Sequence, residues 1–233
     1  MYQSTQPLVM TDKNVLMQRL CDCVGNGYPL WISGGAAENK VESLVSRFNL
    51  NYQILADRNE RTRRKRAGLG NAKLLLWHDE NAARVVWWMF VTPPDLGGHG
   101  AHALEKLHDM RERERVEFQG FELIKLPQKG QERERLTWRM NENKYAAWRE
   151  SIIDNVRSKN IFELKKMLYG LASSPGFSGI RSQSKKLVRL YKAEVKRKGL
   201  KDAPMITQQF RYNRRLRNKG TPLTQWARQH GQH

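Results

Sequence analysis

Arg181, Lys185, Arg189, Lys192 and Lys196 follow one another at intervals of four, four, three and four residues, which on a helix sets five cations in one line. They lie in IRSQSKKLVRLYKAEVKRKG, residues 180 to 199, where eight of twenty side chains are Lys or Arg and only Glu194 is acidic. Like charges four apart on a helix repel by a few tenths of a kcal/mol per pair, so the pattern costs stability unless an external anion neutralises it. At 1.5 Å per residue the line runs about 22 Å, long enough to follow several phosphates along a duplex groove. Lys186, Arg197 and Lys198 flank it.

The apolar residues Ile180, Leu187, Val188, Tyr191 and Val195 form a second stripe on the same helix. A helix around IFELKKMLYGL and the breaker SSPGFSG precede it, so the order is helix, tight connection, basic helix, as in a helix-turn-helix. In such an arrangement the start of the second helix reaches base edges. Here those residues are Arg181, Ser182 and Gln183, types suited to guanine, to several bases and to adenine respectively.

Two more basic clusters support a polyanionic partner. Arg61, Arg63, Arg64, Lys65 and Arg66 fall in DRNERTRRKRAGLGN, which reads as an exposed, flexible loop of the kind that clamps a backbone or enters a minor groove. Arg211, Arg214, Arg215 and Arg217 fall in QQFRYNRRLRNKG, where Phe210 and Tyr212 alternate with arginine; those rings suit stacking on unpaired bases. The bland readings are a disordered insertion for the first cluster and a packed strand or arm for the second.

Other chemistry is thinly represented. His99 and His102 make an HxxH pair with His108, Asp95 and Asp109 nearby, a partial metal set, but a capping or surface role explains the pair better. There is no HExxH, Walker lysine loop, GxSxG or paired carboxylates in an apolar setting. Tyr191 falls on the apolar stripe, which reads as core rather than nucleophile, and the acids concentrate in solvated RERER and ERER runs. Cys21 and Cys23 form the sole CxC, and residues two apart point to different helix faces. Neither metal nor cofactor is expected, and catalysis is not the leading reading.

Charge divides the chain unevenly. Residues 1–150 hold 23 Lys/Arg against 19 Asp/Glu, and residues 151–233 hold 19 against 4, within a total of +19 over 233 residues. A field of that sign favours nucleic acid, anionic membrane or an acidic protein. A membrane is disfavoured, because no apolar run approaches the roughly 18 residues of a span and the basic helix lacks a large apolar face. No secretory pattern opens the chain, so a cytoplasmic location is expected.

The elements that must position these residues follow from hydrophobic spacing. Helices are expected over residues 12–24, capped by Thr11 or Asp12, and over AAENKVESLVSRF. YPLWIS reads as a strand, and KLLLWH with RVVWWMFVT as a hairpin whose second strand carries Trp87 and Trp88 on opposite faces, so it should be central. AHALEKLHDMRERER reads as a helix with Ala103, Leu104, Leu107 and Met110 inward. VEFQGFELIKL and RLTWRM make a second hairpin, followed by helices around KYAAWRESIIDNV and IFELKKMLYGL.

The expected architecture is α+β: a mainly antiparallel sheet flanked by helices in residues 1–158, serving structure, oligomerisation or partner contact, then a basic helical region with an arm-like tail in 159–233. The expected function is a DNA-binding regulatory or accessory protein of transcription, replication or DNA transfer, contacting duplex through the basic helix and loop. The alternative is an RNA-binding component of a ribonucleoprotein or RNA-processing complex, and a third reading is a metal-dependent nuclease using His99 and His102.

Overall fold

The two hairpins written in the hydrophobic alternation seed two separate packing units. The computed structural model describes residues 6–96, 99–112, 114–128, 130–205, 210, 212 and 214–230. Unit 1 comprises Met1–Arg115 with Leu216–His233, and unit 2 comprises Val116–Arg215. The division expected at 158/159 follows the order of elements along the chain; packing groups the second hairpin with the basic helix.

In chain order unit 1 begins with β1 (Leu8–Met10), α1 (Lys13–Gly25), β2 (Leu30–Ala37), α2 (Val41–Tyr52) and α3 (Arg58–Arg66). It continues with β3 (Ala72–Asp79), β4 (Arg84–Val91), α4 (Gly100–Leu104) and β5 (His108–Asp109). Unit 2 holds β6 (Glu117–Phe118), β7 (Phe121–Gln128), β8 (Gln131–Met140), α5 (Glu142–Arg157), α6 (Ile161–Ala172) and α7 (Ser178–Lys198). The chain then returns to unit 1 as β9 (Thr221–Pro222) and α8 (Leu223–His230). The architecture is α+β, as the sequence predicts.

The six strands of unit 1 run β5-β2-β4-β3-β1-β9, antiparallel except for the β1–β3 pair. β4 is central, and Trp87 and Trp88 are buried on its opposite faces. On the first face Phe48 of α2 meets the Trp87 indole edge-on at 5.0 Å, a favoured aromatic geometry. Gly34 of β2 lies in register with Trp87, and a Cβ there would stand 2.5 Å from the indole. On the same face Leu223 and Trp226 of α8 join the core. α1 begins where Asp12 accepts from the Asn14 and Val15 amides, as an N-cap does, and packs against β3.

Two expectations are corrected. Residues 58–66 are helix α3, not a loop: Asp57 caps by accepting from the Glu60 amide, the following Arg and Lys are good helix formers, and basic residues fill the last turn, where the helix dipole favours them. The helix expected over AHALEKLHDMRERER breaks after its first turns. α4 stops at Leu104, which is 65% exposed; the Tyr52 hydroxyl donates to Glu105 at 2.5 Å, and β5 zips onto the edge of β2. Backbone pairing to an open edge overrides the local periodicity.

Unit 2 is a three-stranded antiparallel sheet, β6-β7-β8, with α5, α6 and α7 packed together and α7 against β8. Ile152, Val156, Leu164, Leu168 and Leu171 are buried at the spacing the sequence implies. Among the described residues no helix is long and apolar enough to cross a membrane.

Candidate nucleic-acid interface

α7 is framed by breakers. Pro175 and Gly176 precede it, and Gly199 ends it at φ 65, where its amide and that of Leu200 return to the Lys196 and Val195 carbonyls, a left-handed glycine cap. Ile180, Ser184, Leu187 and Tyr191 form the buried stripe. Burial of Ile180, Leu187 and Tyr191 contributes roughly 1.5–3 kcal/mol each, and the Tyr191 hydroxyl donates to the Pro204 carbonyl at 2.7 Å. Val188 and Val195, expected on this stripe, sit at its margin, half-buried.

The first turn is pinned to β8. Gly179 is placed so that a Cβ would stand 2.5 Å from the Trp138 carbonyl, and its amide and the Ser178 hydroxyl both donate to Thr137 Oγ1, at 3.1 and 3.0 Å. Gln183 completes the seam: its Oε1 accepts from the Met140 amide at 2.6 Å and its Nε2 donates to the Met140 carbonyl at 3.0 Å. The amide expected to read adenine is therefore engaged on both sides by the hairpin, and Ser182 is the exposed member of the expected base-reading trio.

The cationic line survives as a surface. At 3.6 residues per turn its mean direction lies about 130° around the helix from the buried stripe, and Lys185, Arg189, Lys192 and Lys196 are all exposed, as is Lys186 beside them. Glu194, the sole acid in α7, lies on another line and pairs there with Arg197. That contact holds the Glu194 carboxyl below its ordinary value, with Arg157 and Arg149 adding to the effect. The ridge thus carries no acid. Arg181 at its start is half-buried, its guanidinium lying 3.8 Å from the centroid of the Tyr212 ring, a close cation–π pair. Tyr212 is itself 74% exposed.

The second basic cluster divides on α3. Arg61 donates to the Ile54 carbonyl at 2.8 Å, and Arg64 donates twice to the Gly70 carbonyl and also contacts Gln53; both tie α3 to its neighbours. Arg63, Lys65 and Arg66 face solvent. In the tail Arg214, Arg215 and Arg217 are exposed, while Arg211 lies outside the described residues. What the sequence reading missed is the end of the chain. Leu216 exchanges hydrogen bonds with Gln18 and Arg19 of α1, and β9 pairs with β1. Leu223, Trp226 and Ala227 carry the signal, an i, i+3, i+4 apolar set in a polar stretch.

The histidine pair has a structural occupation. His99 Nδ1 accepts from the Ala101 amide at 3.2 Å while its Nε2 meets the Tyr52 carbonyl at 3.0 Å. His102 Nδ1 accepts from the His99 amide and its Nε2 meets the Thr92 carbonyl. Each ring nitrogen thus has a backbone partner, which favours the capping role. Among the described residues no three His, Cys, Asp or Glu side chains gather as a metal set. Cys21 and Cys23 are not joined in a disulfide, and burial pushes Cys23 up to about 12, which leaves it unreactive as a nucleophile. Comparison with family models, curated proteins and solved structures finds no match to this chain.

Proposed function

We propose that the protein binds nucleic acid through the exposed face of α7, with duplex DNA the favoured target, in a regulatory or accessory role in transcription, replication or DNA transfer. The observation that carries the reading is the acid-free ridge of Lys185, Arg189, Lys192 and Lys196, exposed on a helix whose other face is fixed by core packing. A solvated helix face interleaves both signs; this one does not, and unit 2 holds 23 Lys/Arg against 10 Asp/Glu. Rigid mounting on β8 lowers the ordering cost of placing several cations on successive phosphates. Arg63, Lys65 and Arg66 on α3 and Arg214, Arg215 and Arg217 in the tail are supplementary backbone contacts. Contacts of this type position the protein without reading sequence.

The test is protection from lysine acylation. Duplex DNA should shield Lys185, Lys186, Lys192 and Lys196 and leave Lys40 and Lys106, exposed in unit 1, as reactive as before. Uniform labelling with and without DNA would end the assignment. The second reading, an RNA-binding component, is favoured by Tyr212, an exposed ring backed by Arg181 in the way base-stacking side chains are.

A further inference from the structure

α6 presents a second surface in unit 2. Its inner face buries Leu164, Met167, Leu168 and Leu171, and Gly170 lets the Trp148 ring of α5 approach to where a Cβ would stand 3.0 Å away. The opposite face carries Phe162, 75% exposed, and Tyr169, 58% exposed. Lys165 and Lys166, also exposed, lie between the rings along the helix and on either side of the line joining them. An exposed phenylalanine adds nothing to the core. Seven residues separate the two rings, about 10.5 Å along the axis, or roughly three stacked nucleotide steps at 3.4 Å each.

Charge selects the occupant. A second copy would bring the lysines of two α6 helices together across a two-fold axis, and unit 2 already carries a net of +13. A membrane surface needs a broader apolar face than two rings. Aromatic rings with cations between them suit a single strand: bases stack on the π faces while neighbouring phosphates meet the ammonium groups. Lys166 stands 3.7 Å from Glu163, a loose exposed pair that a phosphate can displace.

We propose that the α6 face is a stacking platform for unpaired bases, so that unit 2 takes nucleic acid in which a single-stranded segment adjoins duplex. This rests on the α7 ridge as the duplex contact. The two surfaces divide the work: phosphates of the paired part on α7, bases of the unpaired part on α6.

The test compares blunt duplex, single strand and duplex with a single-stranded overhang, using the full chain. F162A/Y169A should weaken binding to the single strand by at least about tenfold, since each stacked base is worth about 1–3 kcal/mol. It should remove the advantage of the overhang and leave the blunt duplex unchanged. F162Y/Y169F should retain binding. In an F162W variant the new indole should be quenched by single strand and not by blunt duplex. Wild-type affinity of F162A/Y169A for the single strand and the overhang overturns the proposal. So does a change confined to self-association or to binding of an acidic polypeptide. The ridge reading fails separately: if the quadruple α7 variant K185Q/R189Q/K192Q/K196Q binds blunt duplex normally while F162A/Y169A still loses single strands, α6 stands and α7 does not.

Discussion

Replacing Lys185, Arg189, Lys192 and Lys196 together by glutamine separates binding from stability in opposite directions. All four are exposed and none lies on the buried stripe, so the fold of α7 should persist. Each phosphate contact contributes about 0.9 to the slope of log K against log salt, and four contacts give a slope shallower by about 3.6. Between about 50 and 200 mM salt the wild type should then lose roughly 150-fold more duplex affinity than the variant. Meanwhile the repelling pairs Arg181/Lys185, Lys185/Arg189, Arg189/Lys192 and Lys192/Lys196 disappear. At about 0.2–0.5 kcal/mol each, the variant should be about 1 kcal/mol more stable at low salt. Fluorescence anisotropy on random-sequence duplex measures the slope, and denaturant unfolding measures the stability. A folded variant with an unchanged slope would refute the reasoning.

Gly179→Ala should destabilise unit 2 by about 1–3 kcal/mol, the usual cost of overpacking, because its Cβ would meet the Trp138 carbonyl; denaturant unfolding checks it. Gln183→Leu should cost about 1–3 kcal/mol by leaving the Met140 amide and carbonyl unpaired, with no change in base preference on a randomised duplex library; a shift in preferred sequence would return Gln183 to base reading. Within the α3 cluster, Arg64→Ala should lower the thermal midpoint, since the Gly70 carbonyl loses its donor, whereas R63A/K65A/R66A should leave the midpoint unchanged and make the salt slope shallower. Burial holds the His99 ring below its ordinary value of 6.5, with Arg64 and His102 adding to the depression. The unfolded chain therefore takes up a proton that the folded chain refuses, and stability should fall as pH drops below about 6.5. His99→Asn keeps a capping acceptor and should flatten that decline in the thermal midpoint; an identical decline in the variant would clear His99 of it.

What the sequence made legible is set by how local each signal is. The Trp87/Trp88 alternation placed β4 at the centre, and the pair Thr11 and Asp12 marked the start of α1, because period and cap are readable without knowing the partner. The cationic line was legible for the same reason: intervals of four, four, three and four are a property of α7 alone. The engagement of Gln183 was not, because Met140 lies 43 residues away and nothing local distinguishes an amide that seals a hairpin edge from one that faces solvent. The basic run at residues 58–66 looked like a loop because it has no apolar face, yet Asp57 and intrinsic propensity suffice for a short helix. Leu104 misled in the opposite sense, its periodicity overruled by pairing of β5 to β2. The return of α8 to unit 1 depends on contacts with β1 and α2, which come near the other end of the chain.

Contact between the exposed face of α7 and a duplex backbone is the property on which the rest depends. The measurement that decides it is a titration of the intact protein against random-sequence duplex DNA, single-stranded DNA and structured RNA at two salt concentrations. Duplex binding that weakens steeply with salt, at a slope set by several phosphates, is the predicted result. Duplex binding that is absent, or indifferent to salt, would contradict it.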